Sequence, residues 1–261
     1  MSYYGQTDFA TRVSLGLIPG WASLNKFGQG PDCDNGIPTD LWDGADGTTS
    51  TDVWVAPTVA RIHNIASTAA ADDGDPVGTG MRTVRIYYLK DWDTAEASED
   101  VILNGVGAVA MSNACVIIHR MKGLTFGSGG TNAGIITATA VTDATVTAAI
   151  QIGYGQTEMA IYGVPSTKKF ALHSVYSHLH RTAASGTAIA DGQVLVKENA
   201  DQADSGFVVK NDFLVAHNLN FVKHYPVPPI YTGPCVIKLQ ATSDTNNATI
   251  TGSFSGFLVD N

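Results

Sequence analysis

The chain is 261 residues long, with a formal net charge of -9, a pI near 5.0, 44% hydrophobic residues and 15% charged residues. Its basic residues are scattered, with no patch beyond Lys168-Lys169, so it lacks the cationic surface that sequence-independent nucleic-acid binding requires. No apolar run approaches the roughly 18 residues of a membrane span, and three distant cysteines (Cys33, Cys115, Cys235) imply neither a disulfide framework nor a zinc site.

The charged fraction is well under the roughly 25% of an average soluble protein. Thr, Ser, Ala, Asn and Gly must therefore fill the surface, as in proteins covered by other subunits or in secreted β proteins. The opening MSYYGQTDFATRV has no basic region followed by an apolar one, so no signal peptide is expected, and the odd cysteine count fits folding in a reducing cytoplasm.

In chain order, residues 1–16 are polar, with at most a short helical turn at Asp8–Leu15. Leu17–Gly44 carries Trp21, Phe27 and Trp42 but shows no clean strand or helix period and is broken by Gly and Pro. It reads as an extended N-terminal arm, and GADGTTSTD at 44–52 as a flexible linker. From Val53 the texture becomes β. Val53–Val55 and Val59–Ile65 are expected as the first strands, followed by an acidic turn-rich tip at 70–79. In Met81–Leu89, Val84, Ile86 and Tyr88 share one face of an alternating strand. Asn104-Gly105 predicts a hairpin turn, since both residues tolerate positive φ. Cys115–Met121, Ile135–Ala140 and Thr145–Ile152 complete a first unit.

Gly153-Tyr154-Gly155 is the candidate boundary. Strands are expected beyond it at Thr157–Tyr162, Lys169–His180, Val194–Lys197, Gly206–Val209, Asp212–Val215, Val236–Thr242 and Thr249–Val259. Many short strands at turn-marked intervals predict an all-β fold: one or two antiparallel sandwiches or jelly rolls behind the arm. The expected division is 1–52 (arm and linker), 53–152 (first sandwich) and 153–261 (second), with a single large sandwich over 53–261 as the competitor.

GLIPGWASLNKFG at 16–28, LWDG at 41–44, GTGMRTVRIYYL at 78–89, GYGQTEMAIYGVPSTKKFAL at 153–172 and GFLVDN at 256–261 occur in this order. Together they resemble a group of tailed-phage virion structural proteins frequent in marine phages. The chain departs from the group in a longer Asp91–Asp100 loop and in its histidine-rich strand near 178. The resemblance implies a non-enzymatic virion component made in the host cytoplasm, with no catalytic motif to carry over.

Among candidate sites, His178 and His180 lie two apart on a predicted strand and so share a face, as two metal ligands could, while His173 points oppositely. A surface or interface pair is the blander reading, and no metal or cofactor is expected. Asp72, Asp73 and Asp75 miss the calcium-loop spacing and read as a solvated tip. Asp32, Asp34 and Asn35 read as turn caps. Asp93, Glu96, Glu99 and Asp100 share one loop with nothing to separate their pKa values, and Cys115 reads as a buried hydrophobe.

The arm offers the partner-binding candidates: Ile18, Pro19, Trp21, Phe27 and Trp42, as anchors on a neighbour or across the arm's own subunit. With the resemblance, they point to a capsid decoration (cement) protein on the outer capsid surface, bound to the major capsid protein and forming a homo-oligomer, a trimer at three-fold sites. A tail or neck adaptor or fibre-attachment module is one alternative. A carbohydrate- or receptor-binding sandwich, with Trp54, Trp92 and Tyr154 as aromatic platforms, is another.

Overall fold

A period of two between buried and exposed residues dominates the chain, and sheets follow from it. The structure, a computed structural model, describes residues 8–44, 52–55, 59–181 and 188–261. A short helix, α1 (Phe9–Ser14), starts at Asp8, whose carboxylate accepts the Thr11 backbone N–H at 2.9 Å. The strands of the first half are β1 (Trp21–Cys33), β2 (Pro38–Asp40), β3 (His63–Ser67), β4 (Met81–Leu89), β5 (Ala97–Ile102), β6 (Val109–Ala110), β7 (Ile117–Phe126), β8 (Ile136–Ala140) and β9 (Val146–Ile150). Those of the second are β10 (Ile161–Val164), β11 (Lys168–Arg181), β12 (Ile189–Glu198), β13 (Phe207–Ala216), β14 (Asn220–His224), β15 (Ile230–Thr232), β16 (Cys235–Ser243) and β17 (Ala248–Asp260). The fold is all-β, with antiparallel pairing between the named strands.

Two sandwiches form around two cores. In the first, a sheet ordered β6-β3-β8-β9 faces one ordered β5-β4-β7. Ile65, Ile136 and Ile150 from one sheet meet Val84, Ile86 and Met121 from the other. In the second, β1-β17-β11-β14 (with β15 beside β11) faces β10-β16-β12-β13 (with β2 beside β16). Phe170, Val175 and Phe254 fill it against Val194, Ile237 and Leu239. Fully burying each such side chain contributes roughly 1.5–3 kcal/mol.

The expected arm is corrected. Residues 21–33 are β1, paired with β17 from Trp21↔Val259 to Cys33↔Ala248, and 38–40 are β2, paired with β16. These residues belong to the second sandwich, and Trp42 is buried in the first core. The glycines that hide strand character in the sequence permit close packing instead. A Cβ on Gly28 would stand 2.2 Å from the Leu41 carbonyl oxygen and 2.4 Å from the Ala160 nitrogen. Nearly all of the linker expected at 44–52 lies outside the described residues.

The boundary at 153–155 is also revised. Met159 and Ile161 enter the first core, whereas Ala160, Tyr162 and Val164 enter the second. Strand alternation thus makes this stretch a wall common to both sandwiches. Asn104-Gly105 does turn the chain, with Gly105 at φ 55 and the Gly107 N–H on the Asn104 carbonyl at 2.8 Å. It makes no hairpin, because β5 pairs with β4 while β6 pairs with β3 in the opposite sheet. Gly206–Val209 and Asp212–Val215 are one strand, β13, whose register shifts opposite Val194/Leu195.

Candidate functional site

The seam between the sandwiches gathers buried polar groups. β1 carries Lys26 inward, with 9% of the residue exposed, and its Nζ donates to the His119 carbonyl of β7. His119 Nδ1 lies 2.5 Å from Glu96 Oε2, and its Nε2 accepts the Gly163 N–H at 3.2 Å. The amide hydrogen on Nε2 leaves no room for a proton there, so Nδ1 carries the proton and donates to Glu96. Tyr162 stacks on the imidazole at 4.1 Å between centroids.

Burial sets the electrostatics of this cluster. It pushes Lys26 down to about 7, against the charge of Glu96, and lowers His119 despite the same carboxylate. Burial raises Glu96 as well, but the His119 hydrogen bond and the cations around it hold the carboxyl below its ordinary range. A cleft of about 220 Å3 opens beside these groups, also lined by Tyr87 and Arg120. Both His119 ring nitrogens are engaged, so neither is presented to the cleft as an acid or base.

A second tie joins β2 and β16 to the first core. Asp40 accepts from Lys238 Nζ at 2.6 Å, the Trp54 N–H at 2.8 Å and Gln240 Nε2 at 2.9 Å. Close by, Asp43 Oδ2 accepts the Glu158 N–H at 2.8 Å, and burial pushes this carboxyl up to about 7. Asp72 is no solvated tip. It is fully buried and takes donors from Ser67 Oγ and the backbone N–H groups of Met81, Ala133 and Gly134 at 2.6–2.8 Å.

On the outer face of the seam, Tyr154 stands on a turn whose flanking glycines take φ 85 and φ 69. Only glycine adopts such values at little cost. Buried Asn132 staples the turn. Its Nδ2 donates to the Gln151 carbonyl at 2.8 Å, its Oδ1 accepts the Gly155 N–H at 2.9 Å, and its carbonyl accepts the Gly153 N–H at 3.2 Å. The Tyr154 hydroxyl accepts from Gln29 Nε2 of β1 at 3.1 Å. Of the other two aromatic platforms, Trp54 is buried with its indole N–H on the Thr147 carbonyl, and Trp92 is half-buried against the first core.

The five arm residues are not one surface. Trp42 is core, which corrects its place as an anchor. Ile18 and Trp21 are half-buried, with Trp21 in an edge-to-face cluster with Phe9 and Phe257. Pro19 is exposed, and Phe27 is 40% exposed. Outside the expected set, exposed apolar side chains concentrate on β13 and β14: Val208, Val209, Leu214, Leu219 beside β14, and Val222. These edge strands are joined by the stacked rings of Phe213 and Phe221 at 4.2 Å. Irregular polar texture around 199–206 and 217–220 hides this edge in the sequence.

His178 and His180 lie on the outward side of β11, His178 half-buried and His180 exposed. A bulge between Leu172 and Ser174 restores the phase, so His173 is exposed too rather than opposed to them. Among the described residues, no three His, Cys, Asp or Glu side chains gather as a metal-binding group. All three cysteines are buried and free, and burial pushes each thiol up to about 12. Among the described residues no helix is long and apolar enough to cross a membrane.

No family model and no curated protein matches the chain. Among solved structures, it has a slight likeness to the N-terminal CBM22-1-CBM22-2 tandem domain from Paenibacillus barcinonensis Xyn10C, at 9% identity over 92% of this chain and 93% of that one, with a TM-score of 0.25. It also has one to infectious bursal disease virus Gt strain, at 8% identity over 98% of this chain and 88% of that one, with a TM-score of 0.14. Likenesses this small bear on no function.

Proposed function

We propose that the chain is a non-enzymatic structural protein of a tailed-phage virion, a capsid decoration (cement) protein on the outer head surface. The carrying observation is the apolar margin of the second sandwich, where Val208 and Leu214 on β13 and Val222 on β14 are exposed on the end strands of its two facing sheets, in a chain with few charges. Such an edge is costly to leave in water and suited to burial against a neighbour. The motif resemblance supplies the virion setting. Phe27 and Pro19 on the β1 side offer a further exposed contact.

The mechanism is mechanical. Two sandwiches locked by a common wall form a stiff body, and burial of its apolar edges at about 25 cal/mol per Å2 acts over many copies. Copies assemble as a homo-oligomer, a trimer at three-fold sites, against the major capsid protein.

Gel densitometry of purified virions and a low-resolution map test this reading. Hundreds of copies on the head support it, whereas a few copies at the neck or tail sink it in favour of an adaptor. Leu214→Glu with Val222→Glu should keep the fold and lose attachment to capsids. Full occupancy by that double variant would remove the edge from the mechanism.

A further inference from the structure

Tyr154 separates two troughs at the outer seam. One, of about 410 Å3, is lined by Gln29, Asp32, Gln151 and Ile152 among others. The other, of about 310 Å3, is lined by Lys122, Phe126, Thr131 and Gln156 among others. The ring between them is 46% exposed, yet its turn is bonded to its surroundings. Two positive-φ glycines, the buried Asn132 and a Gly123 N–H donating to the Gly155 carbonyl at 2.8 Å all hold it. A side chain kept in water by so many internal bonds is presented, and its ordering is complete before a ligand arrives.

We propose that Tyr154 and the two troughs form a binding site for a neutral oligosaccharide that crosses the seam. The apolar C–H face of a sugar ring matches an aromatic face. Beside their bonds to Tyr154, Asp43 and Arg120, the amides of Gln29, Gln151 and Gln156 each keep a donor and an acceptor, as hydroxyl groups require, and Thr131 and Asp32 add acceptors. The lining carries one acid in one trough and one base in the other, and the chain's net charge is -9, so a polyanion gains little there. Both troughs are open rather than enclosing, which suits a chain passing over the ring better than a small apolar molecule. With a trough on each side of Tyr154, the site takes at least one sugar unit on either side.

This site is independent of the decoration role, since it lies at the seam and not on the β13–β14 edge. Affinity gel electrophoresis of the full chain through soluble neutral polysaccharides (dextran, glucomannan, xyloglucan, galactan) tests it, followed by titration calorimetry with oligosaccharides of the retarding polymer. At least one polymer should retard the protein. Tyr154→Ala should weaken binding about tenfold or more, with an unchanged melting curve, and Gln29→Ala several-fold, while Tyr154→Phe keeps most of it. Absence of retardation by every neutral polymer overturns the site, as does retardation only by anionic alginate or heparin. Wild-type affinity in both Tyr154→Ala and Gln29→Ala overturns it equally. None of these results bears on capsid attachment, which the β13–β14 variants test separately.

Discussion

Lys238 Nζ lies 2.6 Å from Asp40 Oδ2 with both side chains out of water, at 3% and 0% exposure. The pair joins β16 to β2, and Asp40 also accepts the Trp54 N–H, so it ties the N-terminal segment to both sandwiches. The Phe207 ring lies 4.3 Å from the same Nζ. Burial raises the Asp40 carboxyl, against the pull of Lys238.

Removing one partner should therefore strand a buried charge. Asp40→Ala or Lys238→Ala is expected to cost about 3–5 kcal/mol, whereas a double change to Leu and Met should recover much of it. Urea melts of the three variants check this. A double variant no more stable than the single ones would show the pair to be worth more than its desolvation.

Lys26 contributes a stability limb above neutrality. Its folded pKa of about 7 lies below the ordinary 10.5, so between those values the unfolded chain holds a proton that the native chain lacks. Stability from this group rises as pH goes from 7 to 10. Lys26→Met should flatten that rise and raise the melting temperature at pH 7. A wild-type-like slope in the variant would place Lys26 in water.

Asp43 acts with the opposite sign on the acid side. Its folded pKa of about 7 lies above the ordinary 3.8, so the native chain holds the extra proton between them. Stability from this group falls as pH rises from 4 to 7. Asp43→Asn keeps an oxygen for the Glu158 N–H and should remove the fall, read as melting temperature against pH. An unchanged fall would assign it elsewhere.

Gly28→Ala should push β1 off the Leu41 and Ala160 backbones, because neither contacting atom belongs to a side chain that can turn away. A loss of about 2 kcal/mol or more is expected, with β1 amides exchanging faster than those of β17. Equal protection across the pair would show that the sheet shifts as a unit.

The sandwich strands were legible wherever one face is buried and the other wet. Met81–Leu89 is β4 to the residue, and Lys169–His180 and Thr249–Val259 lie within β11 and β17. β1 was not legible, because Gly28 and Gly30 stand where a strand ordinarily shows large apolar side chains. Its partner β17 is also more than 200 residues away in sequence. Tyr154 was recognisable as an aromatic between glycines, but Trp54 and Trp92 looked equally eligible until burial separated them.

The sequence by itself determined the all-β class, most strand positions and the scarcity of surface charge. All three follow from alternation and composition, which are local. Tertiary structure alone decided that the N-terminal segment is a paired strand, that Met159–Val164 serves two cores, and that Lys26, Glu96 and His119 meet. Those outcomes depend on which distant backbones approach each other, and pairing between residues some 20–240 positions apart leaves no periodic trace in a single chain.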